Sequence, residues 1–168
     1  MLLIPMWQPW ASAVALGLKK IETREYPVPK GYSGPVAIHA TKKWDRESRE
    51  LVRMLSDIAY SALKGTSLFN GSLGRWEFPL GQIVAVAKLE VCLPVEKFIR
   101  RGNGRGGYSN SVEILSPLEE ALGNYEPGRY GWLLESVQPL LRPLPYKAHQ
   151  GVYALDAGTE ARLRKELS

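Results

Sequence analysis

The 168-residue sequence has little that could bind a metal or form a cross-link, with one cysteine, Cys92, and two histidines, His39 and His149. One thiol cannot form an intrachain disulfide, and this set excludes a zinc site rich in cysteine or histidine. We therefore predict no metal site and no cofactor. The single cysteine is typical of proteins in a reducing compartment, so we expect a cytoplasmic location.

Long apolar runs are also missing. No run approaches the roughly 20 apolar residues that span a membrane, and the opening MLLIPMWQPW has no basic segment before its apolar residues. We therefore expect neither a signal peptide nor a membrane partner. The composition is 45% hydrophobic and 23% charged, which is ordinary for a globular protein. Because no repeat, linker or composition break divides the chain, we predict a single domain over residues 1–168.

Positive charge is present in modest excess, with a net charge of +5. A basic surface attracts polyanions, of which nucleic acid is the commonest large example, although many basic proteins have no such partner. The basic, glycine-rich residues 100–111 are predicted to form a loop. This loop either contacts a phosphate backbone or is simply solvated.

Hydrophobic periodicity predicts strands and helices in mixed order. A short helix follows Pro9, residues 44–63 have the clearest helical spacing, and residues 64–80 are predicted to be a loop. The strongest strand is GQIVAVAKLEVCLPV, and a late strand begins at YGWLLESV. The elements do not alternate as in a doubly wound parallel sheet. We therefore predict an α+β fold in which a small mixed sheet, curved or closed, has helices outside it.

The stretch GLKKIETREYP, residues 17–27, is unusually dense in charge. Glu22 and Arg24 lie two apart on a predicted strand, so their side chains project from one face about 6–7 Å apart. Lys19 lies at the turn before them. One interpretation is a site, in which Lys19 and Arg24 hold an anionic or carbonyl group while Glu22 orients Arg24 or accepts a proton. The other is a structural Glu–Arg pair at a sheet edge, with Lys19 in solvent.

Several blocks of the sequence resemble, in order, the ASCH domain family of the PUA-like superfamily. The blocks are QPWASAVALGLKKIETR, GYSGPVAIHA, GQIVAVAKLEV, GRYGWLLESVQPL and HQGVYAL. The family motif G-x-K-x-x-E-x-R is present as Gly17, Lys19, Glu22 and Arg24. The resemblance spans most of residues 5–155. It implies a PUA-like mixed β-barrel with surrounding helices, and a basic cleft that binds RNA or a nucleotide-like ligand.

The resemblance also leaves an enzymatic alternative open, because some members of the family are hydrolases. One group hydrolyses the amide of acetylated cytidine with a lysine, a threonine and a glutamate, and others resemble metal-dependent ribonucleases. In the amidohydrolases the threonine comes three residues after the lysine, a position that Glu22 occupies here. Thr23 is next to it, on the opposite face of the predicted strand. If the chain is a hydrolase, Lys19 and Glu22 are the predicted acid–base pair.

Six further residues are predicted to complete the ligand-binding set, and these are Gln8, Ser12, His39, Lys42, Lys43 and Arg129. Gln8 and Ser12 would form the wall opposite the motif, together with the start of the first helix. A helix N-terminus attracts anions, so this wall would favour an anionic ligand. Lys42 and Lys43 would form the rim. His39 is either a cleft residue or a hydrogen-bonded residue of the barrel. A third class of function, an interaction module with a purely structural charge cluster, also fits the sequence.

Overall fold

A computed structural model describes residues 1–72, 75–100 and 114–167. In these ranges the helices are α1 (Trp10–Ala15), α2 (Arg46–Arg53), α3 (Asp57–Lys64), α4 (Pro117–Ala121) and α5 (Ala157–Glu166). The strands are β1 (Leu2–Met6), β2 (Ile21–Arg24), β3 (Gly34–Ala40), β4 (Phe69–Asn70), β5 (Arg75–Trp76), β6 (Gln82–Pro94), β7 (Ile99–Arg100), β8 (Ile114–Leu115), β9 (Tyr130–Pro145) and β10 (Tyr153–Ala154). Among these helices, none is both long and apolar enough to cross a lipid bilayer.

The main sheet has six strands in the order β10-β1-β3-β6-β9-β2. Strands β1 and β3 run parallel, and the other neighbours are antiparallel. The long β6–β9 ladder shifts register between Ile83 and Ala85, and again at two later points along β6. Such bulges bend a strand and increase its twist, so the sheet curves along its longest ladder.

The α+β class is confirmed, but strand pairing does not close the sheet into the predicted barrel. Strands β10 and β2 form the two edges, and no ladder in the described ranges joins them. Instead, the side chain of Arg24 on β2 donates a hydrogen bond from Nη2 to the carbonyl oxygen of Pro5 on β1, over 2.7 Å. Because β10 pairs only with Leu2 and Leu3, Pro5 lies where β1 itself is the edge of the sheet. A side chain therefore links β1 to β2 at this point, where a closed barrel has a backbone ladder.

The single helix predicted over residues 44–63 is two helices, α2 and α3. The break falls at residues 54–56, where Ser56 leaves the helical conformation and its Oγ accepts a hydrogen bond from the backbone N–H of Ala59. A serine that caps a helix start satisfies a free N–H group, and this local bond interrupts an apolar pattern that continues through it. The predicted loop over residues 64–80 contains the short strands β4 and β5. Nearly all of the predicted loop 100–111 lies outside the described residues.

The main core lies between α1 and the sheet. Ala11 and Val14 of α1 are fully buried and belong to one cluster with Ile38 of β3 and Trp132 of β9. The small residues let the helix approach the sheet closely, while Trp132 fills the space beside it. This packing fixes the turn that leads from β1 into α1, and it brings that turn close to β2.

Candidate functional site

The cleft begins where the parallel strands β1 and β3 end at the same edge of the sheet. Pro5 pairs with His39 and Met6 with Ala40, so the chain leaves both strands side by side. The backbone N–H of Thr41 donates to the carbonyl oxygen of Met6 over 2.9 Å, which extends the pairing past β3. Residues beyond these strand ends are free to line a cavity, because no further ladder covers them.

Two adjoining pockets form the cleft. The larger pocket, of about 950 Å³, extends from β1 and β3 to residues 146–151, which precede β10. The smaller pocket, of about 560 Å³, extends from β1 along β2 to the end of α4. Pro5, Trp7 and Arg24 line both pockets, so the two form one continuous cleft.

Lys19 lies beside the smaller pocket but is only 1% exposed. The turn that places it contains Gly17, whose φ of 71° is easily adopted only by a residue without a Cβ. The Lys19 ammonium donates to the carbonyl oxygen of Ile21 and lies 4.0 Å from Glu22 Oε2 and 3.8 Å from Glu119 Oε1. Three acceptors therefore surround the ammonium group, which is not in solvent as the structural interpretation of the sequence supposed.

Glu119 is a member of this charge cluster that sequence reasoning missed. Its Oε2 accepts from the backbone N–H of Lys20 over 2.7 Å, and its Oε1 accepts from the backbone N–H of Ile21 over 3.1 Å. The hydroxyl of Tyr125 also donates to Oε1 over 3.3 Å, and burial, together with the charge of Glu119, raises the pKa of that phenol. Glu119 thus joins α4 to the start of β2, about a hundred residues apart in sequence.

Glu22 and Arg24 project from one face of β2, as the strand period requires. Arg24 Nε lies 2.9 Å from Glu22 Oε1. On the same edge, Arg129 Nη1 lies 3.2 Å from Glu25 Oε1, and its Nη2 donates to the carbonyl oxygen of Thr23. The cations that line the smaller pocket are therefore paired with the carboxylates that line it.

The larger pocket has a different charge. Its charged lining residues are Arg24, Lys42 and Lys147, its other titratable residues are two histidines and two tyrosines, and no aspartate or glutamate is among its lining residues. Lys42 and Lys147 are both exposed. A concave surface whose charged groups are all positive concentrates anions, so this pocket is the electropositive end of the cleft.

His39 lies at the floor of the larger pocket and is 3% exposed. Its Nε2 lies 3.1 Å from the carbonyl oxygen of Tyr146. Burial lowers the pKa of His39, and the hydrogen bond to Tyr146 only partly opposes this. The neutral imidazole is therefore the form that the fold favours.

The buried position of His39 predicts a pH dependence of stability. Because the folded-state pKa lies below the ordinary value of 6.5, the unfolded chain takes up a proton at a higher pH than the folded chain. The contribution of His39 to the free energy of unfolding is therefore full above about pH 6.5 and declines as the pH falls towards the folded-state pKa. His39→Gln does not titrate. The difference in unfolding free energy between wild type and variant should shrink as the pH is lowered.

Urea unfolding of both proteins at a series of pH values measures this difference. His149→Gln is the matched control, since His149 lines the same pocket but is exposed. The prediction is contradicted if the free energy of unfolding of wild type exceeds that of His39→Gln by the same amount at every pH.

Gln8 and Ser12 are placed differently from the wall that the sequence predicted. Both are buried, and neither is among the residues that line the two pockets. The amide of Gln8 is used inside the fold: Nε2 donates to the carbonyl oxygen of Pro79 over 2.8 Å, and Oε1 accepts from the backbone N–H of Ser12 over 3.2 Å. The side chains of Gln8 and Ser12 therefore face the core at the first turn of α1. Their positions do not support a role in ligand binding.

Lys43 also lies outside the lining of both pockets. Its ammonium lies 2.8 Å from Glu47 Oε2 and 3.9 Å from the centre of the Trp7 ring. A cation at that distance over an aromatic face attracts it electrostatically. Lys43 therefore supports Trp7 from one side, and Lys42 is the rim lysine that lines the larger pocket.

The site residues predicted from the sequence omit several that line the larger pocket, among them Trp7, Tyr26, Tyr146 and Lys147. Trp7 is 45% exposed and Tyr26 is 42% exposed. The sequence places these aromatics on either side of the charged motif but carries no sign that they stay exposed. Tyr146 and Lys147 follow a strand in coil, and only the tertiary fold brings them opposite β3.

A metal centre is not apparent in the described ranges, where no group of three or more histidine, cysteine, aspartate or glutamate side chains is placed to hold a metal ion.

The curved mixed sheet with α1 packed against it, and with a cleft at the ends of β1 and β3, is a PUA-like fold. Three crystal structures of the ASCH protein from Zymomonas mobilis support this. The ASCH structure itself is 16% identical, covering 99% of this chain and 95% of that chain, with a TM-score of 0.52. A tyrosine-to-phenylalanine mutant is 16% identical, with coverages of 99% and 98% and a TM-score of 0.51. A serine-to-alanine mutant is 17% identical, with coverages of 99% and 96% and a TM-score of 0.50.

The family follows from the sequence itself. A model of the ASCH domain matches residues 4–130, which is most of the chain. No curated protein gives a significant match. The chain belongs to the ASCH domain family, which is often associated with RNA binding. The resemblance identified from the sequence is thereby confirmed.

Proposed function

We propose that the chain binds single-stranded RNA or a nucleotide-like ligand in the cleft formed by the larger and smaller pockets. One observation carries this proposal: the larger pocket combines the exposed cations Lys42 and Lys147 with the exposed rings of Trp7, which follows β1, and Tyr26, which follows β2. Cations that neutralise phosphates and aromatic rings that stack on bases are the two features of single-strand binding surfaces.

The two rings are held in place by neighbouring groups. Lys43 lies over one face of Trp7, and Tyr26 contacts Trp132 edge-on, with ring centres 6.0 Å apart. Trp132 is fully buried, so Tyr26 rests on the core. Rings fixed in this way lose little freedom when a base stacks on them, which favours binding.

The residues of the family motif have different roles in this proposal. Arg24 lines both pockets and contributes charge to each. Lys19 and Glu22 hold the cluster that fixes β2, and Lys19 has its ammonium enclosed by acceptors. We infer that Arg24 contacts the ligand directly, and that Lys19 acts mainly by positioning Glu22 and Arg24.

A binding measurement with labelled single-stranded and hairpin RNAs tests the proposal. Each RNA is mixed with the protein at low salt, with and without Mg²⁺ or Mn²⁺, and both the bound fraction and the integrity of the RNA are read from the same samples. Intact RNA bound more tightly as a single strand than as a hairpin is expected, because stacking requires unpaired bases. Failure to bind any RNA at low salt would favour the interaction-module alternative.

Removing the two exposed lysines of the larger pocket should reduce the salt dependence of binding. Each phosphate contact to single-stranded nucleic acid contributes about 0.7 to the slope of log affinity against log salt. The double variant Lys42→Ala, Lys147→Ala should therefore lower this slope by about 1.4 and weaken binding of every RNA sequence alike. Titrations of the RNA at several salt concentrations measure the slope.

The control is the double variant Lys30→Ala, Lys97→Ala, which removes the same charge from exposed positions outside both pockets. Equal slopes for the two double variants would mean that RNA does not lie in the larger pocket.

The hydrolase alternative rests on the acid–base pair predicted from the sequence, Lys19 and Glu22, which meet at the edge of the smaller pocket. Glu22 occupies the position of the amidohydrolase threonine, and the hydroxyl of Thr23 accepts a hydrogen bond from the backbone N–H of Asn124. Cleavage of RNA, or release of acetate from acetylated cytidine, that is lost in Glu22→Gln but kept in Glu25→Gln would support catalysis. Glu25 is the matched control because it lines the same pocket but is exposed.

A further inference from the structure

Three buried polar atoms in the lining of the larger pocket have no hydrogen bond to another described residue, and these are Arg24 Nε, His39 Nδ1 and Thr41 Oγ1. Arg24 Nε forms an ion pair with Glu22 over 2.9 Å, which leaves His39 Nδ1 and Thr41 Oγ1 without a partner. Such atoms are uncommon in folded proteins, since a buried polar group without a partner destabilises the fold. Where two of them line one pocket, a bound ligand is a natural source of the missing partners.

Strand geometry explains why the two residues act together. His39 is on β3 and Thr41 directly follows it, two positions along, where the pairing with Met6 continues the extended chain. Alternate residues of an extended strand project to the same side. Both side chains are therefore presented to the larger pocket, below the exposed cations Lys42 and Lys147.

The hydrogen bond of His39 to Tyr146 fixes what the free nitrogen can do. The carbonyl oxygen of Tyr146 only accepts, so Nε2 of His39 must carry the proton. In the neutral ring that the buried position favours, Nδ1 is then an acceptor with no proton. A phosphate group at neutral pH offers only acceptors and cannot pair with Nδ1.

We propose that His39 and Thr41 form a recognition subsite that selects a neutral hydrogen-bond donor of the bound nucleotide, either the ribose 2′-hydroxyl or an N–H group on a base edge. This inference rests on the proposed binding of RNA or a nucleotide-like ligand in the cleft. It divides the larger pocket by chemistry: Lys42 and Lys147 neutralise phosphate, Trp7 stacks a base, and His39 with Thr41 reads an uncharged group.

The test uses variants that change one hydrogen-bonding group each. His39→Gln keeps an N–H donor for the Tyr146 carbonyl but moves the acceptor from the Nδ1 position to the amide oxygen. Thr41→Val removes the hydroxyl at nearly constant volume. The probes are labelled single-stranded octamers of adenylate, cytidylate and uridylate, each made with ribose and with deoxyribose. The affinity of every octamer is measured for wild type and both variants, and thermal unfolding confirms that each variant is folded.

We expect His39→Gln to lose about tenfold in affinity for the octamers that supply the donor, since the buried donor of the ligand then loses its acceptor. If the 2′-hydroxyl is the donor, the loss occurs for ribose octamers and is absent for deoxyribose octamers. If a base edge is the donor, the loss occurs for particular bases and is the same with either sugar. Thr41→Val should reproduce the same pattern in either case.

Two results would overturn the inference. In one, both variants bind all octamers as tightly as wild type. In the other, affinity falls by the same factor for every base and both sugars, as it should for Lys147→Ala, which removes a positive charge from the same pocket. Binding of RNA by wild type with either result leaves the proposed function in place, whereas failure of wild type to bind any octamer removes both proposals.

Discussion

Replacing Lys19 by alanine is expected to lower the free energy of unfolding by about 3–5 kcal/mol, because it removes the cation beside the buried Glu119 and leaves Glu22 with Arg24 alone. Glu22 and Glu119 both lie within 4.0 Å of the Lys19 ammonium. Removing one member of such a cluster costs more than the cluster contributes in total, since the remaining charges keep their desolvation penalty. For a domain of this length the expected fall in Tm is roughly 2–4 °C per kcal/mol.

Urea unfolding of Lys19→Ala beside Lys20→Ala measures the effect with a neighbouring control. Lys20 carries the same charge on an exposed side chain, so its replacement should change stability by less than about 0.5 kcal/mol. Lys19→Met separates charge from packing, because it fills the space of the lysine stem without the ammonium. It should remain strongly destabilised, and the added change Glu119→Gln should recover part of the loss.

The opposite outcome would change the role given to Lys19. If Lys19→Ala unfolds at the same urea concentration as wild type but no longer binds RNA, the ammonium must turn towards the ligand. The site interpretation drawn from the sequence would then hold, and Lys19 would be a direct ligand contact. Loss of both stability and binding agrees with the positioning role, provided that Lys20→Ala retains both.

Local pattern was sufficient to predict some features of the molecule. The two-residue period of a strand predicted that Glu22 and Arg24 share a face, and the structure pairs them over 2.9 Å. The uninterrupted apolar run in GQIVAVAKLEVCLPV predicted the long strand β6. Both are consequences of backbone geometry within a few residues, which sequence carries directly.

Other features depend on where distant parts of the chain meet. Glu119 is not among the site residues predicted from the sequence, yet it accepts hydrogen bonds from the backbone N–H groups of Lys20 and Ile21. Nothing local to residue 119 indicates that contact, because it depends on how α4 packs beside β2. The break between α2 and α3 is a different case, in which a serine cap overrides an apolar period that runs through it.

Replacing Trp7 by alanine should weaken binding of single-stranded RNA by about 5- to 150-fold, which corresponds to the loss of one stacked base. Trp7 lines both pockets, is 45% exposed, and has Lys43 over one face of its ring. Because the ring is largely outside the core, the variant should fold normally and lose affinity through the ligand alone. Titration of labelled single-stranded RNA, with thermal unfolding of the same samples, measures both quantities.

Two further variants make the Trp7 result specific. Trp7→Phe keeps a smaller aromatic face and should retain part of the affinity, whereas Met54→Ala removes an exposed apolar side chain outside both pockets and should retain all of it. A base stacked on Trp7 requires the order wild type, phenylalanine, alanine in affinity, since stacking scales with aromatic area. If the Trp7→Ala variant binds RNA as tightly as wild type, the ligand does not cross the junction of the two pockets. The lysines of the larger pocket would then act on a ligand held elsewhere.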